Sequence, residues 1–354
     1  MKNYFLYPKD IQIKKKTIGN KNIDRLNLTF SHDLDFQYLD ILETNELNDL
    51  IKKITINLTN FKKENSLIKA YPNLLKRVNK ISNKKNKNSL LPKKNPLIMG
   101  ILNITKDSFY DGGKYYNEKS ALNHAEKLIS DGADIIDIGG ESTRPGALPI
   151  KPEEEIKKVT PIIKKLSNNN ILVSCDTRNS STMEAALDSG AHIINDVSGL
   201  NYDNNTLNII RKYKCLYILV HSQGIPATMQ NNPIYKNVAC DIYNFFIKKA
   251  LILKKQSIDM KNIILDPGIG FGKTTSHNFY ILKNLSLYLD LGLPLLVGVS
   301  RKSFIKKFFN YGKSETLVPS ISLAIDAYLK GANILRVHDV KETLNAINIF
   351  KAAN

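Results

Sequence analysis

The sequence predicts an α/β fold, a (β/α)8 TIM barrel carrying a small N-terminal α/β extension. Three observations predict it. From residue 96 onward, eight apolar runs rich in β-branched residues recur, and near-continuous runs of this length suit parallel strands covered on both faces. Segments with helical spacing separate them, and eight strand–helix pairs in about 260 residues match the size and count of such a barrel. Nearly every run also ends on a residue fit for chemistry: Asn103, Glu141, Asp176, Asn195, His221, Asp266, Ser300 and His338. A doubly wound open sheet has the same alternation. It concentrates its polar ends at one switch point, however, whereas a barrel gathers all eight around one pocket.

In chain order the strand runs are "LIMGILNIT" (97–105), "DIIDIGG" (134–140), "ILVSCDT" (171–177) and "HIINDVSG" (192–199). "YILVHSQG" (217–224), "NIILDPG" (262–268), "PLLVGVS" (294–300) and "NILRVHDV" (333–340) follow. Ala121, Ala125, Leu128 and Ile129 fall on one face of the first helix, which stops at "DGAD". The same ending returns as "DSGAH" (188–192) and "KGAN" (330–333), each with glycine where a helix needs a left-handed residue to close. Ahead of the barrel, residues 1–82 form the extension. "KITINLT" (53–59) alternates as a strand does, and "NDLIKKI" and "SLIKAYPNLLKRVNKI" are expected to be helical. Residues 83–95, polar, charged and containing Pro92, read as a linker to the barrel at 96–354.

Composition excludes several classes. With 42% hydrophobic and 24% charged residues the chain is of ordinary globular type. No apolar run is long enough to cross a membrane, and the start "MKNYFLYPKD" breaks before a signal core forms. A cytoplasmic location is expected. Cys175, Cys215 and Cys240 fit neither a metal pattern nor a paired framework. The net charge of +18 is front-loaded: residues 1–95 hold 20 Lys and Arg against 9 Asp and Glu, the rest 31 against 24. That bias travels with Asn and Ile, so specific nucleic-acid binding is not expected, although a basic surface favours anionic substrates.

The stretch "LDPGIGFGKT" (265–274) imitates a phosphate-binding loop. A P-loop needs four residues between its first glycine and the Gly-Lys pair, and here Pro267 stands where that glycine belongs. The dinucleotide fingerprint fails as well, because Gly268, Gly270 and Gly272 are each one residue apart. What remains is Asp266 at a strand end, followed by a turn that lets a flat ligand approach closely.

"MGILNITKDSFYDGG" (99–113), "GGESTRPGA" (139–147), "CDTR" (175–178), "INDVSG" (194–199), "SRKSF" (300–304) and "RVHDV" (336–340) complete an ordered set with it. Together they resemble the signature segments of the dihydropteroate synthases, from about residue 96 to the C-terminus. The resemblance implies condensation of 6-hydroxymethyl-7,8-dihydropterin diphosphate with 4-aminobenzoate, releasing pyrophosphate by a dissociative route. It implies that Asp176, Asn195 and Asp266 hold the pterin edge, where carboxylates suit adjacent N–H donors, and that Lys302 lies along the ring. By the same resemblance Thr143, Pro145, Phe271 and Ser303 receive 4-aminobenzoate, the last at a helix start where free N–H groups suit a carboxylate. Arg336 and His338, two apart on one strand and so pointing the same way, are expected to supply cations for pyrophosphate, with Arg144. Asp111 is expected near the reacting carbon, and Asn103 is expected to offer its amide oxygen to Mg2+, which favours oxygen ligands and substrate phosphates.

The family is commonly homodimeric and a sulfonamide target, so both are implied here. Lys106, Tyr110 and Ser222 depart from its usual proline, serine and methionine, which bears on loop behaviour rather than reaction class. Two other readings remain: a pterin-dependent methyltransferase barrel, which has no need of pyrophosphate cations, and a non-catalytic basic binding protein.

Overall fold

A computed structural model describes residues 3–13, 26–27, 34–45, 50–58, 65–71, 73–82, 91–104, 118–141, 149–169, 171–224, 228–309 and 313–354. In the front part, β1 (Asn3–Lys9), β2 (Gln12–Ile13), β3 (Leu26–Asn27), β4 (Leu34–Phe36), β5 (Tyr38–Thr44) and β6 (Leu50–Asn57) precede two helices, α1 (Asn65–Ala70) and α2 (Leu74–Ser82). Strands β1, β5 and β6 make an antiparallel sheet, and β2, β4 and β3 a smaller one. Of "NDLIKKI", expected as a helix, residues 50–54 are strand instead, with Leu50, Lys52, Lys53 and Ile54 paired to β5; Asn48 and Asp49 lie outside the described residues. Partnership with a neighbouring strand overrides local helical spacing.

The barrel strands are β7 (Leu97–Asn103), β8 (Ile135–Gly139), β9 (Leu172–Asp176), β10 (Ile193–Asp196), β11 (Leu216–Val220), β12 (Ile263–Asp266), β13 (Leu296–Val297) and β14 (Ile334–Val337). All pair in parallel, in the order β12-β11-β10-β9-β8-β7-β14-β13. A parallel bridge from Leu265 to Leu295 closes the ring. Helices α3 (Glu118–Ser130), α4 (Pro152–Ser167), α5 (Ser180–Asp188), α6 (Thr206–Tyr213), α7 (Val238–Lys255), α8 (Thr275–Lys283), α9 (Ser303–Phe309), α10 (Leu317–Leu329) and α11 (Val340–Ala353) alternate with them. The three repeated helix stops behave alike. Gly132, Gly190 and Gly331 take φ of +102°, +102° and +96°, and the next N–H reaches back five residues, to Leu128, Ala186 and Ala327.

Strand parity builds two cores. Ile98, Ile136, Val173, Ile194, Leu265 and Leu335 face the helices. Leu97, Met99, Ile135, Ile193, Ile218, Ile264 and Ile334 fill the barrel interior. Leu91, within the expected linker, packs against that interior cluster; Lys94 pairs with Asp134 at 2.9 Å, and the Asn95 carbonyl accepts from Lys351. The end of the linker is therefore fixed to the barrel.

The front sheet shares one hydrophobic cluster with the barrel shell. Buried Asp290, in the short 3-10 segment Leu285–Leu291, ties the two. It accepts from the Leu6 N–H (3.1 Å), the Tyr243 hydroxyl (2.9 Å) and Arg77 Nε (2.9 Å). Arg77 Nη2 also donates to the Tyr4 carbonyl at 3.0 Å. Among the described residues no helix is long and apolar enough to cross a membrane.

Candidate active site

The same parity that packs the interior aims the chemistry. On β8 the inward positions are Ile135 and Asp137; on β9 Leu172, Ser174 and Asp176; on β10 Ile193 and Asn195; on β12 Ile264 and Asp266; on β14 Ile334 and Arg336. Each strand thus ends its apolar inward row in a polar group, and the groups meet above the plug. Register sets them side by side: Asn103 opposes Gly139, Gly139 opposes Asp176, and Asp176 opposes Asn195.

Arg336 is the centre of the network. Its Nε donates to Asp137 Oδ2 and its Nη2 to Asp176 Oδ2, both at 2.6 Å. Asn195 Nδ2 donates to the same Asp137 oxygen at 3.1 Å. Asp137, fully buried, was not singled out from the sequence; it was hidden inside an apolar run, although its inward phase with Ile135 marks it. Fixing Asn195 by its amino group turns its carbonyl oxygen outward. Buried Asp176 Oδ1 and Asn195 Oδ1 then have no partner, and neither does Asp137 Oδ1. Unpaired buried acceptors cost about 1–3 kcal/mol each, so the site is built to be completed by a ligand rich in N–H donors. Asp266 is held by its own turn, with the Gly268 N–H donating to Oδ1 at 2.7 Å.

Val197, Val220, Ile269, Phe271, Gly298 and Lys302 enclose this polar floor together with Asn195, Asp266 and Arg336. Lys302 Nζ sits 4.3 Å from the Phe271 ring centroid. Val197 and Phe271 are also walls of an adjoining cavity of about 340 Å³, lined by Arg178, Ser198, Asn201, Tyr202, Ser222 and Gly224. A methyl on Gly139 would stand 3.3 Å from Asn103 Oδ1 and 3.7 Å from Asp176, so this glycine keeps the rim open.

Burial governs the charges. It brings Lys302 down to about 8, helped by repulsion from Arg336 and opposed by Asp266 and Asp176. It raises Asp176 against the pull of Arg336, and raises Asp266 against its turn N–H. His338 was expected beside Arg336 as a cation for pyrophosphate. Burial, then Arg336 and Arg301, push it to about 3, so it is neutral near pH 7, with Nδ1 3.1 Å from Ser300 Oγ. Two nitrogens of Arg336 are engaged by carboxylates.

Ser303 opens α9 and is exposed. Asn103 ends β7, half-buried. Glu141 forms a buried two-point pair with Arg178, at 3.0 and 2.9 Å, and is structural. Burial raises the Cys175 thiol well above its usual range. Asp111, Thr143, Arg144 and Pro145 lie outside the described residues, as do Lys106 and Tyr110.

Comparison with known proteins agrees with this geometry. The family described as "Pterin binding enzyme" matches residues 99–338. Dihydropteroate synthase of Escherichia coli (strain K12) is 42% identical over 258 residues, 73% of this chain and 91% of that protein. The Neisseria meningitidis serogroup B (strain ATCC BAA-335 / MC58) enzyme of the same name is 42% identical over 263 residues, 73% and 92%. Among solved structures, Yersinia pestis dihydropteroate synthase in a sulfonamide drug complex superposes with a TM-score of 0.70 at 40% identity, covering 73% of this chain and 94% of that one. The Xanthomonas albilineans enzyme in complex with 7,8-dihydropteroate superposes at 0.67 with 32% identity, covering 74% and 95%. The chain belongs to the dihydropteroate synthase family of pterin binding enzymes.

Proposed function

We propose that the barrel joins 6-hydroxymethyl-7,8-dihydropterin diphosphate to 4-aminobenzoate, forming 7,8-dihydropteroate and pyrophosphate in folate synthesis. The observation that carries the reading is the pair of unpaired buried acceptors, Asp176 Oδ1 and Asn195 Oδ1, beside Asp266. A pterin edge offers adjacent N–H donors to complete them, and relatives have been seen with 7,8-dihydropteroate and with 4-aminobenzoic acid.

The residues then divide the work. Asp176, Asn195 and Asp266 orient the ring, and Lys302 donates to its acceptor atoms. Arg336 balances the carboxylates and offers its remaining guanidinium edge to the departing diphosphate, while neutral His338 serves as a hydrogen-bond donor there. The C–O bond breaks first, which suits a site whose cations stabilise the leaving anion. The resulting cationic methylene is met by the aniline nitrogen, with Asp111 as its electrostatic partner. Arg144 adds a further cation for the diphosphate, and Thr143, Pro145, Phe271 and Ser303 receive 4-aminobenzoate. Sulfonamides, one of which occupies the Yersinia pestis relative, compete for that seat. Two such chains form a homodimer working in the cytoplasm.

Asn103 fits a Mg2+ role as a single amide oxygen at the rim. Among the described residues no cluster of three acidic, His or Cys groups could hold a metal, and Mg2+ commonly takes few protein ligands beside substrate phosphates. Bound there, the ion would neutralise charge on the diphosphate. The test is pyrophosphate release from the pterin diphosphate. Release that depends on 4-aminobenzoate is expected; methyl transfer from methyl-tetrahydrofolate without it would favour the methyltransferase reading.

A further inference from the structure

The lysine that makes 265–274 look like a nucleotide loop has a different task. Lys273 is 3% exposed and its Nζ lies inside the turn, where burial brings it down to about 7 against the attraction of Asp266, so amine and ammonium are both present near neutral pH. Nζ donates to the Gly268 carbonyl (2.8 Å), the Phe271 carbonyl (2.9 Å) and the His221 carbonyl (3.2 Å), and stands 3.0 Å from His221 Nδ1. It occupies the middle of the loop as a bound cation would. The loop backbone is pressed onto the exit of β11: a Cβ on Gly268 would meet the His221 carbonyl at 1.9 Å, and one on Gly272 the Gln223 carbonyl at 2.4 Å. Glycine is needed at both, and at these close approaches the loop has no regular structure to hold it. Burial, then the charge on Lys273, push His221 well below its usual range, so its neutral ring nitrogen can accept from Nζ.

We propose that Lys273 is a positioning residue, which anchors Phe271 to the neighbouring strand end so that the ring stays fixed over Lys302. Phe271 walls both cavities of the site, and its own carbonyl is held by this ammonium. Without the anchor the ring swings, and Lys302 loses the face against which it rests. This inference rests on the synthase reading given above.

A double-mutant cycle on kcat/KM tests it, using the full chain with Lys273→Met, Phe271→Ala and both together. Each single variant is expected to lose about tenfold or more, since Lys273→Met leaves the Gly268, Phe271 and His221 carbonyls without their shared donor. The double variant should lose no more than the worse single one, because Lys273 acts through Phe271. Additive losses, or an unchanged Lys273→Met enzyme, would overturn the assignment. If Lys273→Met does not fold, Lys273→Gln, one bond shorter and with an amide oxygen facing the same carbonyls, also breaks the anchor and replaces it in the cycle with the same deciding outcomes. Wild-type turnover separates the two claims: its absence refutes the synthase reading, while turnover with additive losses refutes only the positioning role.

Discussion

Replacing Lys302 with methionine removes a charge that folding works against. Burial and Arg336 bring this lysine from 10.5 to about 8, even after the attraction of Asp266 and Asp176 is counted. At about 1.4 kcal/mol per pH unit, the charged form opposes folding by about 3 kcal/mol. The sign follows from proton counts. Below pH 8 folded and unfolded states both carry the proton, and the full cost is present. Between 8 and 10.5 the unfolded chain binds more protons, so wild-type stability rises with pH and more than half of the cost is gone by pH 9.5. Methionine keeps the unbranched stem. Urea unfolding should therefore show Lys302→Met more stable than wild type by up to about 3 kcal/mol at pH 7, with the gap at least halved at pH 9.5. Turnover should fall by roughly a hundredfold or more. A variant less stable than wild type at pH 7, or a gap that ignores pH, would refute the reasoning.

Three further outcomes are expected. Arg336→Met leaves Asp137 and Asp176 without their counter-ion and should cost about 3–5 kcal/mol at pH 8. The loss should shrink toward pH 5 as Asp176, raised by burial, takes up a proton, and a pH-independent loss in urea unfolding would contradict this. Asp290→Asn should lower stability by about 3 kcal/mol, because Arg77 and the front sheet lose their anchor; an unchanged urea midpoint would make that sheet peripheral. Asp266→Ala should weaken pterin binding by about a hundredfold or more, and calorimetry giving near-normal affinity would remove Asp266 from the site.

Much of the barrel was legible because burial on two faces writes itself as continuous Ile, Leu and Val runs. The polar residues that end those runs, such as Asp176 and Asp266, stand out against them. Asp137 escaped because a charged residue within "DIIDIGG" reads as part of the run until its phase is compared with Ile135. The neutrality of His338 and the double engagement of Arg336 depend on which groups the closed ring brings near, and no local spacing encodes that. "NDLIKKI" has helical spacing, yet β5 offers its backbone a ladder, and pairing decided the outcome. The Asp290 anchor joins residues 4, 6, 77, 243 and 290, a convergence that only the folded chain displays.

Crystals soaked with 6-hydroxymethylpterin test the site most directly. The ring should place N–H donors within about 3 Å of Asp176 Oδ1 and Asn195 Oδ1, with its remaining edge toward Asp266 and its face near Lys302. Pterin density elsewhere, with those two acceptors still unpaired, would contradict the account.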